Sequence, residues 1–392
     1  MRRFNDIIIL LTLLLAVTGC SRHDKITVQE DVMISLSPTM SAGTKAMVNN
    51  KADLLDQSYG ETGIGFGVFG YKSLKDAGYT RPQTLVFNNT EVKPSAATET
   101  TENKATWSYN PIRYWDSNNN AYYQFVAYWP HLQSAETTGP WVENTNVIGQ
   151  NTTEDMSLTL HNIPNWQDAA STDTRDYLVA TSKGKYKGSE EGVTHYSEGI
   201  VPFTFSHILS KLTIQAYYVG VKENHVSVHN ITLGGTDLLS TDGVADYTKP
   251  FGGNNGVPAF STPVKGGTGL VLFNTVDAAH AHTLQETAFY DQDTPANTPD
   301  CVHESICSWL VVPAGGWNNL KLDVSFAVGD DARPTQIEVQ DISIGTEPYA
   351  MASGYQYILT LKFDSSSGDI DVEMVQVKDW INQDVEYMVY NW

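Results

Sequence analysis

The run Ile26-Thr27-Val28-Gln29-Glu30-Asp31-Val32-Met33-Ile34-Ser35-Leu36-Ser37 alternates with a period of two. Its even positions are Ile26, Val28, Glu30, Val32, Ile34 and Leu36, apolar except for Glu30. Its odd positions are Thr27, Gln29, Asp31, Met33, Ser35 and Ser37, polar except for Met33. Neighbouring side chains of a strand point to opposite sides, so the pattern predicts a strand with one face on a core. The same period recurs at Ile64–Tyr71, Tyr122–Trp129, Met156–His161, Tyr177–Thr181 and Phe203–Tyr218, the last with a break at Ser206–Ser210. It continues at Val226–Leu233, Leu270–Phe273, Trp309–Val312, Leu320–Val328, Gln336–Ile344, Tyr355–Phe363, Ile370–Trp380 and Val385–Tyr390. Turn-forming clusters such as Asn118-Asn119-Asn120 and Gly252-Gly253-Asn254-Asn255-Gly256 separate these runs, and long helical periodicity is missing. The chain reads as all-β. About fourteen strands predict two antiparallel β-sandwiches in tandem, of about seven strands each. A stretch rich in Lys, Gly, Ser and Glu at Ser182–Gly199 puts the boundary near residue 200, giving domains 20–200 and 201–392.

Composition excludes several classes of protein. Of 392 residues, 41% are hydrophobic and only 18% charged, so the chain is not a disordered polyelectrolyte. Twenty-four basic against 45 acidic residues give a net charge of −21, a sign that repels phosphate backbones and argues against nucleic-acid binding. Three cysteines are too few for a disulfide-dense scaffold.

The N-terminus reads as an address. Arg2 and Arg3 precede an apolar run from Ile7 to Val17, too short to span a bilayer but long enough for the core of a secretory signal. It ends in Leu15-Ala16-Val17-Thr18-Gly19-Cys20, which resembles a bacterial lipoprotein signal; Asp6 is a small departure. In that reading residues 1–19 are removed by signal peptidase, and Cys20 is lipidated (palmitate among the acyl groups) and tethers the protein to the outer membrane. Several acyl chains hold firmly where one is marginal. A plain signal with a chance cysteine is the alternative. Cys301 and Cys307 are left with three readings: a small disulfide loop, free thiols, or a metal site with His303. The last suits the spacing poorly, and no metal or cofactor is expected.

Other motifs are weaker. Gly65-Phe66-Gly67-Val68-Phe69-Gly70 matches a dinucleotide fingerprint literally, but the glycines alternate within a strand rather than opening a helix. The bland reading is a strand whose glycine face lets another backbone come close. Asp116, Asn118 and Asn120 open like a calcium loop, yet Ala121 and Ala127 stand where Gly and Glu are needed. His280 and His282 share a strand face without a third ligand, and Asp369, Asp371 and Glu373 share the polar face of a strand as solvated carboxylates do. Trp107, Tyr109, Tyr114, Trp115 and Tyr122–Trp129 form an aromatic cluster, read as core in preference to a sugar-stacking platform.

Taken in order, the segments resemble the fimbrillin family, subunits of the Bacteroidales type V pilus. The carrying residues are the Cys20 lipobox, the lone strand Ile26–Leu36 followed by Thr44-Lys45-Ala46, Gly65–Phe69, and Phe125-Val126-Ala127-Tyr128-Trp129-Pro130. Phe205-Ser206-His207-Ile208-Leu209-Ser210-Lys211-Leu212-Thr213, Gly354–Leu361 and Val377-Lys378-Asp379-Trp380 complete them. The resemblance implies two transthyretin-like, Greek-key sandwiches, export as a lipoprotein, trimming by an arginine- or lysine-directed protease, and polymerisation by strand exchange at the cell surface. Carried onto this chain, a trypsin-like enzyme would cut between Lys45 and Ala46, releasing a strand with Ile26, Val28, Val32, Ile34 and Leu36 on its apolar face. Lys45 departs from the Arg more usual at that site, and an uncut member would sit at a pilus base or act alone. A neighbour's strand would refill the groove by β-augmentation, with Val385, Tyr387 and Val389 as donor residues. Burial of five or six side chains is worth on the order of 10 kcal/mol. The implied partners are other pilus subunits, the lipidation machinery, the protease and the outer membrane. The rival readings are a lipid-anchored glycan- or ligand-binding protein that does not polymerise and, further off, an enzyme.

Overall fold

The structure is a computed structural model. It describes residues 32–40, 64–73, 82–94, 107–116, 121–135, 138–145, 156–186, 193–196, 198–251, 257–266, 269–275, 281–295, 301–313, 317–329, 333–344 and 350–379. The first ten strands are β1 (Ser35–Met40), β2 (Phe66–Ser73), β3 (Pro82–Pro94), β4 (Trp107–Ser108), β5 (Tyr122–Trp129), β6 (Trp141–Thr145), β7 (Met156–Pro164), β8 (Trp166–Asp168), β9 (Leu178–Lys185) and β10 (Ile200–His207). Next come β11 (Ser210–Val219), β12 (Val226–Gly235), β13 (Val244–Phe251), β14 (Ala259–Phe260), β15 (Leu270–Asn274) and β16 (His282–Thr283). The last are β17 (Glu304–Val311), β18 (Leu320–Val328), β19 (Thr335–Ile342), β20 (Tyr355–Asp364) and β21 (Asp369–Asp379). Among the described residues helical structure is limited to 3-10 geometry, at Glu286–Ala288 and at Pro295.

These strands build four sheets: β1-β10-β9-β5-β2-β3-β4, β21-β20-β11-β17-β8, β15-β12-β18-β19 with β16 beside β12, and β14-β13-β7-β6. The middle of the seven-stranded sheet is covered on both faces, so every residue of its central strand β5 is buried, whereas β10 nearer the edge alternates exposed and buried. One face sends Phe69, Tyr71, Val126, Tyr128 and Val179 into a core shared with Val142, Leu158 and Leu160 of the four-stranded sheet. The other face carries a second, aromatic core. There Phe66 meets Trp107, Phe203 and Phe205 at centroid distances of 5.3, 6.0 and 5.6 Å, and Phe125 meets Trp115 and Tyr196 at 6.1 Å each. The end strands β1 and β4 touch, so the sheet curls round this cluster until its edges meet.

Two expectations need correcting. The sequence pattern implied antiparallel sheets, but β1 runs parallel to β10 and β11 runs parallel to β20. Alternation dictates which face a side chain takes and is silent on strand direction. The first strand was expected to end at Ser37, whereas β1 continues through Pro38 to Met40. A proline is tolerated there because β1 is an edge strand of its sheet. Across the boundary expected near residue 200, β7 pairs with β13 and β8 pairs with β17.

Candidate functional site

The candidate site is the slot in which β1 lies. Ser35 to Met40 pair one-to-one with Ile200 to Phe205 without a bulge. Ile34, Leu36 and Pro38 are buried and Met33 is exposed, while Ser35 and Ser37 are half-buried. The floor beneath is Val201, Phe203 and Phe205, each fully buried. Thr39 Oγ1 adds a hydrogen bond to the Phe203 carbonyl at 3.0 Å. Val32, half-buried, precedes the strand. Ile26 and Val28 lie outside the described residues.

A second wall flanks the start of β1. Met33 bridges Tyr114 in antiparallel fashion, and the Ile34 amide donates to the Arg113 carbonyl at 2.9 Å. On the opposite side the Ser35 amide donates to the Gly199 carbonyl at 2.8 Å, which also accepts the Trp115 indole N–H at 3.1 Å. The Tyr109 hydroxyl donates to the Ile34 carbonyl at 2.6 Å, and the Tyr109 ring packs edge-on against Phe87. Burial pushes the Tyr109 phenol above its usual range, so the hydroxyl remains a donor at physiological pH.

β10 depends on β1 to an unusual degree. It meets β9 only at Ser206↔Val179 and His207↔Leu178, so its residues 200–205 have β1 as their ladder partner. The far end is tied down by a buried pair in which His207 Nδ1 lies 2.8 Å from Asp176 Oδ2. Removing β1 would leave six backbone positions of β10 unpaired at an edge and expose apolar side chains. Ile34 and Leu36 together are worth on the order of 5 kcal/mol when buried. The described residues contribute three buried side chains to the slot, Ile34, Leu36 and Pro38.

The remaining candidates do not gather at this slot. Cys20, Lys45, Ala46, Val385, Tyr387 and Val389 lie outside the described residues. Cys301 and Cys307 are free thiols, which corrects the disulfide left open above. Cys307 sits within β17, and Cys301 lies before the start of that strand. Burial pushes the Cys307 thiol up to about 12, and Cys301 is raised less. In a Cys20→Ser form at pH 8, iodoacetamide should modify Cys301 well before Cys307, read by mass spectrometry of native protein; equal rates would contradict this burial.

Phe66–Gly70 lies within β2, with Gly65 just before it, as a strand rather than a phosphate loop. Its glycines mostly admit rings rather than backbone: a Cβ on Gly67 would meet the Tyr128 ring at 2.4 Å, and one on Gly70 would meet Phe125 at 2.7 Å. Only Gly65 faces backbone, the Val92 carbonyl at 2.4 Å. Asp116 pairs with Lys72 at 3.0 Å, and His282 lies 3.3 Å from Glu304. Asp369 and Asp371 are solvent-exposed. Trp107, Trp115 and Tyr122–Trp129 are buried as core, whereas Tyr114 is exposed. Sequence reasoning missed Tyr109 as part of the slot. Its only signal was membership of an aromatic cluster, and nothing local shows that its hydroxyl meets a strand 75 positions away.

A family model described as fimbrillin-like matches residues 44–380. The chain belongs to the fimbrillin-like family. The match begins beyond the end of β1. Among solved structures this fimbrillin-like chain is similar to a fimbrial protein from Bacteroides vulgatus, with 14% identity, 89% of this chain and 99% of that one covered, and a TM-score of 0.47. It is also similar to the tip fimbrial protein of Porphyromonas gingivalis, with 12% identity, 89% and 100% coverage and a TM-score of 0.38. The fimbrial anchor protein of the same organism gives 13% identity, 90% and 98% coverage and a TM-score of 0.28. These superpositions are loose, and the assignment rests on the family match. No curated protein matches the chain.

Proposed function

We propose that the protein is a structural, non-enzymatic subunit of a surface fimbria that serves cell adhesion. It is exported as a lipoprotein tethered through Cys20 to the outer membrane, and it assembles by protease-triggered strand exchange. The observation that supports this most directly is β1 itself: an edge strand whose apolar side chains are buried against Val201, Phe203 and Phe205. Cleavage between Lys45 and Ala46 severs β1 from the body covalently without touching any described ladder. The vacated slot then takes a strand from a neighbouring subunit, with Val385, Tyr387 and Val389 as the donor face. In this reading the transthyretin-like sandwiches of residues 20–200 and 201–392 are knitted together by the β7–β13 and β8–β17 ladders.

The test is to treat purified precursor with a trypsin-like protease and analyse it unboiled on a denaturing gel. Cleavage at Lys45 should be followed by a ladder of multimers, and Lys45→Gln should stop both. Clean cleavage that leaves only monomer sinks the assembly mechanism.

A further inference from the structure

The geometry of the slot points to a directional socket. We propose that it admits a strand in one direction only, parallel to β10, and that Tyr109 is the positioning residue that grips this strand through its backbone. The inference rests on the strand-exchange reading above and specifies what the neighbour's strand must do.

Direction follows from the two walls. Two successive amides of the bound strand donate to opposite sides, that of Ile34 to Arg113 and that of Ser35 to Gly199. Reversing the strand preserves its alternation of side chains but exchanges donors for acceptors along its backbone. The carbonyls of Arg113 and Gly199 would then face carbonyls and lose the two amide donors of the bound strand, keeping only the Tyr109 hydroxyl and the Trp115 indole beside them. The even one-to-one register from Ser35 to Met40 would be lost as well.

Tyr109 adds a grip that ignores sequence. It is a side chain of the wall rather than of the strand, and its hydroxyl reaches the main-chain carbonyl of Ile34. Every strand offers such a carbonyl. A donor bearing valine and tyrosine in place of Ile34, Leu36 and Pro38 can therefore be held at the same point. Because the ring is set against Phe87 and the hydroxyl also lies 3.3 Å from the Arg113 carbonyl, the donor atom is fixed before a strand arrives.

The experiment uses the full chain with a site for a sequence-specific protease placed at Lys45–Ala46. Nicking it leaves β1 seated but no longer covalently attached. A peptide with the sequence of residues 32–40 is then added, carrying a fluorophore at its N-terminus in one sample and at its C-terminus in another, to a body with a quencher on Glu198→Cys (Cys20 and Cys301 replaced by Ser). The peptide should displace β1, and the N-terminal fluorophore should be quenched at least about ten-fold more than the C-terminal one, because a parallel strand sets its leading end beside Ile200. Tyr109→Phe keeps the ring and removes the hydroxyl, so it should speed release of the peptide about five-fold, as expected for one hydrogen bond. It should also lessen the difference between the two labels, which a purely packing role would leave alone. Equal quenching of both labels, or an unchanged release rate in Tyr109→Phe, overturns the directional socket while leaving strand exchange standing. Failure of the peptide to enter overturns strand exchange itself.

Discussion

Leu36→Asp is expected to unseat β1 and turn the uncut protein into one that exposes its slot. The side chain at this position is 4% exposed and pairs across to Val201, beside the fully buried Phe203. A carboxylate placed there loses the burial of leucine, roughly 1.5–3 kcal/mol, and must also shed its water beside the buried Val201 and Phe203. The edge strand has a way out that a central strand lacks, because it can leave. The penalty is therefore capped by what holds β1 down, on the order of 5 kcal/mol. Limited proteolysis should show rapid loss of the segment before residue 64 with the body intact, and binding of an apolar dye should rise. Leu36→Ala should do the same more weakly. If Leu36→Asp resists protease as well as the parent does, β1 is not the plug described here.

Gly67→Val should destabilise the body itself, by about 3 kcal/mol or more, at the upper end of what overpacking costs. An added Cβ would stand 2.4 Å from the ring of Tyr128 and 2.5 Å from its hydroxyl. The ring cannot swing aside cheaply, since it is fully buried between β2 and β9. Its hydroxyl also bonds the Asn89 side chain and lies 3.1 Å from the Leu132 carbonyl. Burial holds the Tyr128 phenol well above its ordinary range, so the group stays neutral and keeps these bonds. A denaturant melt should show a clearly lower midpoint, and Gly67→Ala an intermediate one. An unchanged midpoint would mean that β2 does not pack against β5 as seen.

How much of this could be read beforehand depends on where the information lies. Tyr122–Trp129 and Leu320–Val328 coincide with β5 and β18 at both ends, because strong apolar character or alternation bounded by turn residues is a local property. β3 was missed: it begins and ends in proline, contains Asn88-Asn89, and meets β2 through several register shifts, with Asn89 in the left-handed region at φ 46°. β13 was missed as well, its pattern interrupted by Lys249-Pro250. The slot was half legible. The alternation of Ile34 and Leu36 showed a buried face, yet neither the parallel partner β10 nor the wall carrying Tyr109 leaves a local trace, since both are far along the chain. The fingerprint-like glycines misled only about their neighbours, which are aromatic rings supplied by β3 and β5.

In the proposed assembly, parallel pairing in the slot would also set how a joint between subunits carries load. A donor strand from residues 385–390 would be tethered to its own subunit at its leading end, and β10 is tethered to the body at its trailing end, beside the His207–Asp176 pair. With both strands pointing the same way, tension along a fibre pulls these tethers in opposite senses along one axis. The hydrogen bonds of the joint are then sheared together instead of being peeled one after another. An appendage linked in this manner would resist drag from flowing liquid far better than the modest equilibrium strength of a six-residue contact suggests.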